Sequence, residues 1–348
     1  MENQTRSKPS LTAQTAETLL NFAEESVHGL RGVKSKAVLA QLEQRYAELL
    51  SAIQWFMAQR RTDESLRLAS SLVPFWMATK RLEEGSIWFD QVFAMPGGDD
   101  TYRGRALFDA GYLAFWKGDD ERSSSLQQRA LALGRQRDNP TIIALALVGL
   151  ARIALRTDIE EARRLCREAL TVTEGTTDQI GRSSAMHVLG VTAQMAGDFH
   201  EARALMSERI TLARGMGNLA TVSSEAGNLS TVERQLGNLE EAERLAREAL
   251  DIDYRRGDEL AIPWKINGLA AVTADRGEFD RAAVLIGAAD ATMEAAGGAW
   301  PPDELIHYER TVAMLQNALG SIGFARARAV GHSMTTSEAV DFALRIRS

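Results

Sequence analysis

Apolar residues return at helical spacing along almost the whole chain. Leu39, Leu42, Tyr46, Leu49, Leu50 and Ile53 fall on one such series, and Leu66, Leu68, Ala69, Leu72 and Phe75 continue it; this is the signature of a helix with one buried face. Further along, the pattern itself repeats. Gly197-Asp198-Phe199-His200-Glu201-Ala202 is followed 40 residues later by Gly237-Asn238-Leu239-Glu240-Glu241-Ala242 and, after another 40, by Gly277-Glu278-Phe279-Asp280-Arg281-Ala282. Thr157-Asp158-Ile159-Glu160-Glu161-Ala162 stands 40 before the first of these, and Gly118-Asp119 a further 39 before that. Lys80-Arg81-Leu82-Glu83-Glu84 is a weaker relative.

Each copy has one physical logic. The glycine closes a helix in the left-handed conformation, and the Asp, Asn or Glu after it starts the next as an N-cap. The alanine at the end of each block lets the second helix come close to its neighbour. Upstream lie Leu189-Gly190, Leu229-Ser230 and Leu269-Ala270, with the small residue twelve positions before that alanine; downstream lie Ala130-Leu131, Ala169-Leu170 and Ala249-Leu250. This arrangement resembles the tetratricopeptide (TPR) motif, in five copies between about residues 104 and 290. The resemblance implies an all-α, right-handed superhelical solenoid of antiparallel helix pairs. The period of 40 exceeds the usual ~34, so longer helices or longer turns are expected.

The ends differ from the array, as solenoid ends must if they are to cover terminal apolar faces. Residues 1–15 read as a disordered polar leader, 16–100 as N-terminal helical hairpins, 101–296 as the regular repeats and 297–348 as a helical C-terminal cap. The breaks are Met95-Pro96-Gly97-Gly98-Asp99-Asp100 and Ala295-Ala296-Gly297-Gly298-Ala299-Trp300-Pro301-Pro302. Beyond the second, Asp303 opens a helix to about Ala318, a short helix covers Phe324 to Val330, and Thr335-Thr336-Ser337-Glu338 caps a last one from Ala339 to Arg345. Trp55, Trp76 and Trp88 read as core of the first hairpins, Trp264 as partly exposed at a helix start, and Trp300 as a pin for the C-terminal cap.

Composition narrows the function. The net charge is −7 with no basic run, which argues against direct nucleic-acid binding. No stretch reaches the ~18 apolar residues of a membrane span, the first fifteen residues lack a signal-peptide core, and one cysteine, Cys166, leaves no disulfide framework. A cytoplasmic protein fits. No two of the five histidines have metal-ligand spacing. No nucleophile or acid–base constellation is visible, and Gly215-Met216-Gly217 follows no strand and is no dinucleotide loop. No catalytic residue, metal or cofactor is expected. Cys166 reads as a buried structural thiol.

In a TPR superhelix the first helix of each pair lines the concave face. Aligning the copies places Arg105, Phe108, Tyr112 and Phe115 there, then Ala144, Leu147, Ala151 and Ala154. Next come Ser184, His187, Val191 and Gln194, then Ser224, Gly227, Thr231 and Arg234, and last Trp264, Asn267, Ala271 and Ala274. The candidate ligand-binding residues are Arg105, Phe108, Tyr112, Ser184, His187, Gln194, Thr231, Arg234, Trp264 and Asn267. Apolar area with a few orienting polar groups is what a peptide or small-molecule groove needs.

A second resemblance reaches from about residue 17 to 345. It is carried by Phe22-Ala23-Glu24-Glu25-Ser26, Leu30-Arg31-Gly32, Leu42-Glu43, Leu49-Leu50-Ser51-Ala52-Ile53-Gln54-Trp55, Phe75-Trp76, Glu84-Gly85 and Trp88. Leu285-Ile286-Gly287-Ala288-Ala289-Asp290, Tyr308-Glu309-Arg310 and Ser337-Glu338-Ala339-Val340 continue it. These residues resemble the helical arm of STAND-type bacterial transcription regulators, the AfsR-like, LuxR-type and MalT-like proteins. The resemblance implies a sensor that captures a small-molecule inducer, a peptide or a partner protein and controls a nucleotide switch. This sequence has no Gly-x-x-x-x-Gly-Lys-Ser/Thr phosphate loop and no basic helix-turn-helix, so a switch would be supplied by a separate protein or by the rest of a larger regulator. The competing readings are a structural adaptor and an enzyme or accessory protein of specialised metabolism using the groove.

Overall fold

The computed structural model describes residues 11–177, 179–297, 300 and 302–345, with the side chains of 302–304 and 306 excepted. The leader up to residue 10 and break residues Gly298, Ala299 and Pro301 lie outside the described residues, as does the side chain of the proposed Asp303 cap. Among the described residues there are seventeen helices and no strand. α1 (Ala13–Gly29) begins inside the segment read as leader, capped by the Thr12 hydroxyl.

After α1 come α2 (Ser35–Gln44), α3 (Tyr46–Ala58), α4 (Thr62–Ala78) and α5 (Leu82–Phe93). The pairs follow: α6 (Asp100–Lys117) with α7 (Asp120–Gln136), α8 (Pro140–Ala154) with α9 (Ile159–Thr173), and α10 (Gln179–Met195) with α11 (Phe199–Gly215). Then come α12 (Leu219–Gln235) with α13 (Leu239–Arg256) and α14 (Ile262–Asp275) with α15 (Phe279–Ala295). Two helices, α16 (Pro302–His332) and α17 (Thr336–Leu344), close the chain. The long period comes from the helices: α10, α11 and α12 are each 17 residues long, joined by turns of three.

The turn glycines behave as their spacing predicts. Gly118, Gly197, Gly237 and Gly277 have φ of 80°, 82°, 81° and 81°, where a Cβ would cost ~1–2 kcal/mol. The cap residues divide. Asp119 and Asp158 accept from the backbone amides of Arg122 and Glu161. Asp198 and Asn238 make no side-chain cap bond, and Asn238 instead donates to Glu233 at 2.7 Å.

Contacts divide the chain into two units, one containing Ala37–Val188 with the residues up to Leu30, the other Arg31–Lys36 with Leu189 onward. The Met95–Asp100 break does not part them, since α6 packs on both α4 and α5. In the first unit Phe56, Phe75, Trp76 and Phe89 are fully buried, and the Trp76 indole donates to the Tyr46 hydroxyl at 2.8 Å. Trp88 is buried with them, while Trp55 packs half-buried against that core.

In the second unit α16 and α17 share a core with α14 and α15, and one crossing is especially close. Gly287 of α15 and Gly331 of α16 face the other helix's backbone so closely that a side chain at either would strike a carbonyl, of Arg328 and of Val284 respectively. Beside this crossing the Tyr308 hydroxyl donates to Asp290 at 2.9 Å, Arg328 pairs with Asp290 at 2.8 Å, and Trp300 stacks on Tyr308 at 4.9 Å. The two helices read between Asp303 and Val330 are both present within α16, parted by a sharp kink at Gly320, whose backbone (φ 67°, ψ 164°) is not helical. At its end α17 has a capping box in which Thr335 and Glu338 satisfy each other's backbone amides.

Candidate recognition surface

On α6, residues 105, 108, 112 and 116 share one face by helical spacing. The rings of Phe108 and Tyr112 stack at 6.2 Å and 15°, and Tyr112 meets Trp116 edge-on at 6.1 Å and 86°. Phe115 flanks Trp116 at 5.7 Å. Phe108, Tyr112 and Phe115 are half-buried, and Trp116 is 51% exposed.

Three arginines lie over these rings. Arg105 approaches Phe108 at 6.0 Å, Arg152 of α8 approaches Tyr112 at 5.3 Å, and Arg156 approaches Phe115 at 4.4 Å. Two of the three cations are neutralised, Arg105 by the buried Asp109 at 2.8 Å and Arg156 by Asp120 at 2.7 Å. Arg105, Phe108 and Tyr112 are among the residues expected from the sequence; Trp116, Arg152 and Arg156 are not.

The reason lies in the second copy. Its turn has Thr157 where the others have glycine, and Thr157 is not among the positive-φ residues. The Asp198 amide reaches back five residues to Ala193, whereas the Asp158 amide reaches back only four, to Ala154. One extra residue separates Gly149 from Ala162 compared with Gly190 from Ala202. The register of α8 is displaced accordingly. Ala144, Leu147 and Ala151, expected on the open face, are fully buried, and Arg152 reaches the aromatic row instead.

The base of this surface holds another unforeseen residue. Gln127 of α7 is fully buried and donates to the Phe108 carbonyl at 3.0 Å, occupying space that Gly111 and Gly149 leave by lacking side chains. Close approach within a pair is fixed by one hydroxyl on either side of the contact. Ser123 of α7 donates to the Gly111 carbonyl at 2.8 Å, and in the fourth copy Ser230 of α12 donates to the Ala242 carbonyl at 2.7 Å.

The remaining candidates do not converge on that row. Ser184 and His187 are half-buried on the part of α10 that belongs to the first unit, and Gln194 is half-buried on the part that belongs to the second. Thr231 donates weakly to its own helix at Gly227, 3.4 Å away, and Arg234 is paired with Asp275 at 3.0 Å. Trp264 is 39% exposed, as expected of a helix start, whereas Asn267 is only 4% exposed and its Oδ1 has no hydrogen-bond partner. Behind α12 and α14 lies a buried charged group that periodicity could not reveal. Asp253 accepts from Ser223 at 2.5 Å and from Arg256 at 2.9 Å, with Lys265 at 3.9 Å. Burial raises the Asp253 pKa, against the pull of Lys265 and Ser223.

A separate cavity of about 390 Å³ lies between α7, α8 and α9, with Leu131, Leu150 and Ile153 in its lining. Its rim charges satisfy one another, Arg135 with Glu168 at 2.7 Å and Arg164 with Glu161 at 2.7 Å. No group of three or more His, Cys, Asp or Glu among the described residues is placed to hold a metal ion. Among the described residues no helix is long and apolar enough to cross a membrane.

Comparison with known proteins agrees with the repeat fold. Tetratricopeptide-repeat family profiles match residues 141–215 and 226–256. The chain carries tetratricopeptide repeats. A protein of Mycobacterium tuberculosis named as an HTH-type transcriptional regulator is 28% identical over 190 residues, which is 52% of this chain and 21% of the relative. The chain thus spans about a fifth of the length of that curated relative. Among solved structures, a STAND protein with a tetratricopeptide-repeat sensor from Pyrococcus horikoshii superposes with a TM-score of 0.56 at 12% identity, covering 96% of this chain and 55% of that one. A Rap protein complexed with competence and sporulation factor gives 0.54 at 12% identity, covering 95% and 96%. At such identities the structural likeness is one of fold: an all-α TPR architecture of helix pairs.

Proposed function

We propose that this chain is a non-catalytic TPR recognition module in bacterial transcriptional regulation, and that the face of α6 and α8 is where its ligand or partner sits. The observation that carries the reading is the row of half-buried and exposed rings at Phe108, Tyr112 and Trp116 roofed by arginines. Such a surface combines large apolar area at low entropic cost with charged hydrogen-bond donors, the residue types that dominate binding energy at interfaces. The likeness to an HTH-type regulator supports the regulatory context, and the sensor role of the STAND protein's repeats and the complex of the Rap protein supply precedents on the same fold. The activity of a complete regulator, including a nucleotide switch on the same or a separate chain, belongs to this proposal.

The reading is tested by native mass spectrometry and pull-down from the source cell, with wild-type chain beside a Tyr112→Ala/Trp116→Ala variant. A protein, peptide or small molecule held by the wild type, released on denaturation and lost in the variant is the expected result. Retention by the variant would move the site elsewhere, with the cavity between α7 and α9 the first alternative for a small molecule. A wild-type chain that holds nothing, or that turns over a bound compound, would overturn the reading.

A further inference from the structure

Of the three arginines over the aromatic row, Arg152 alone meets no carboxylate. Arg105 and Arg156 have Asp109 and Asp120. Arg152 stacks on Tyr112 at 5.3 Å, and its Nε is buried without a hydrogen-bond partner. A half-buried guanidinium held in place without a counter-ion is prepared for an anion, and a carboxylate is the planar partner its fork of donors fits best.

Position then selects the kind of carboxylate. Phe108 and Trp116 lie eight residues apart on α6, about 12 Å along the helix axis, and Tyr112 with Arg152 above it stands midway. Four residues of extended chain cover that length at ~3.3 Å each. A terminal carboxylate bound at Arg152 would leave one half of the ring surface uncovered, whereas an internal acidic residue lets the chain run over both halves. The row is a half-exposed surface, and the cavity between α7 and α9 shares none of its residues; a small molecule on the row would keep much of its surface in water. Resting on the recognition-module reading above, we infer that α6 and α8 bind an extended acidic peptide segment. The carboxylate of an internal Asp or Glu pairs with Arg152, and apolar residues on either side lie on Phe108 and Trp116.

The full chain, immobilised, is panned with a random heptapeptide library acetylated and amidated at its ends, and in parallel with one whose C-terminal carboxylate is free. The amidated library is expected to yield peptides with one Asp or Glu between apolar residues. The best of them, fluorescein-labelled, is expected to bind Arg152→Gln roughly tenfold to a hundredfold more weakly, the loss of one charge-assisted hydrogen-bonded pair. Arg152→Lys should recover part of that, and added salt should weaken the wild type toward the Gln variant. If Arg152→Gln does not fold, Trp116→Ala, whose ring lies outside the core, should show a loss of similar size.

Enrichment without an acidic position, enrichment only from the free-carboxylate library, or unchanged affinity in the variants would overturn the inference. So would no enrichment at all. If the wild-type chain still holds a small molecule or a folded protein in the native spectrum, the recognition-module reading survives that failure; if it holds nothing there either, both fall.

Discussion

The crossing of α15 and α16 gives the same substitution opposite signs at two glycines of one unit. At Gly287 a new methyl would lie 2.8 Å from the Arg328 carbonyl carbon and 2.9 Å from the His332 amide nitrogen, with the Arg328 carbonyl oxygen nearer still. Comfortable contact for such atoms is ~3.5–4.0 Å and the oxygen sets the limit, so the helices must part by more than ~1 Å; a gap of ~1 Å already forfeits up to about half of each contact across it. The contacts at stake involve Leu315, Phe324 and Ala327, all buried against α14 and α15. A few tens of such contacts at ~0.1–0.2 kcal/mol each amount to about 1–3 kcal/mol, the usual cost of overpacking. The better helix propensity of alanine returns at most ~1 kcal/mol.

At Gly268, in the middle of α14, nothing lies within 4 Å of the same methyl, and only the propensity gain of ~0.5–1 kcal/mol remains. With a net loss of about 1–2 kcal/mol, Gly287→Ala is therefore expected to lower the melting midpoint by about 2–8 °C and Gly268→Ala to raise it by about 2 °C, at ~2–4 °C per kcal/mol for a unit of this size. Circular dichroism melts give the midpoints, and hydrogen exchange should locate the loss in α16 and α17. Equal shifts for the two variants, or a neutral Gly287→Ala, would refute the close crossing.

Other consequences follow from single residues. Gly149→Ala should destabilise the first unit by about 1–3 kcal/mol, because the new methyl meets the buried Gln127 amide, whose Oε1 would lie 2.6 Å away; trimming Gln127 to Ala in the same chain should make the pair non-additive in a chemical-denaturation cycle. Burial pushes the Cys166 thiol up to about 12, against a smaller opposite pull from Arg152, so iodoacetamide at pH 8 should label it only after denaturation, and rapid native labelling would contradict its placement. Hydrogen bonds from the Thr335 backbone and hydroxyl hold the Glu338 carboxyl below its ordinary 4.5. Its support for α17 is thus complete above that value and lost as pH falls through the lower folded value; proteolytic nicking at the C-terminal end should rise over that range in the wild type and be pH-independent in Glu338→Gln.

The repeat was legible because it is written in residues that backbone geometry demands. Positive φ at Gly118, Gly197, Gly237 and Gly277 admits few alternatives to glycine, and the close approach at Gly111 and Ser230 admits only small residues, so spacing alone located turns and pairs. Where the chain solved the same problem otherwise, the reading slipped. Thr157 cannot take glycine's conformation cheaply, the turn added a residue, and the whole of α8 rotated relative to the expected alignment. In the cap, by contrast, glycine did act as punctuation: the non-helical backbone at Gly320 parts the two helices expected on either side of it.

Recognition chemistry was less legible for a different reason. A side chain that packs obeys the period of its helix, but a side chain that binds is defined by what it lacks, and that depends on neighbours distant in sequence. Arg105, Arg152 and Arg156 look alike along the chain. Only when α6 and α8 are placed side by side does it emerge that Asp109 and Asp120 answer two of them and that the third is left over an aromatic ring with its charge unmet. The same holds for Asp253 on α13, whose Ser223 and Lys265 neighbours come from α12 and α14. Sequence periodicity therefore locates the helices and their pairing, while a charge left unpaired by folding, such as that of Arg152, can be read only from the folded chain.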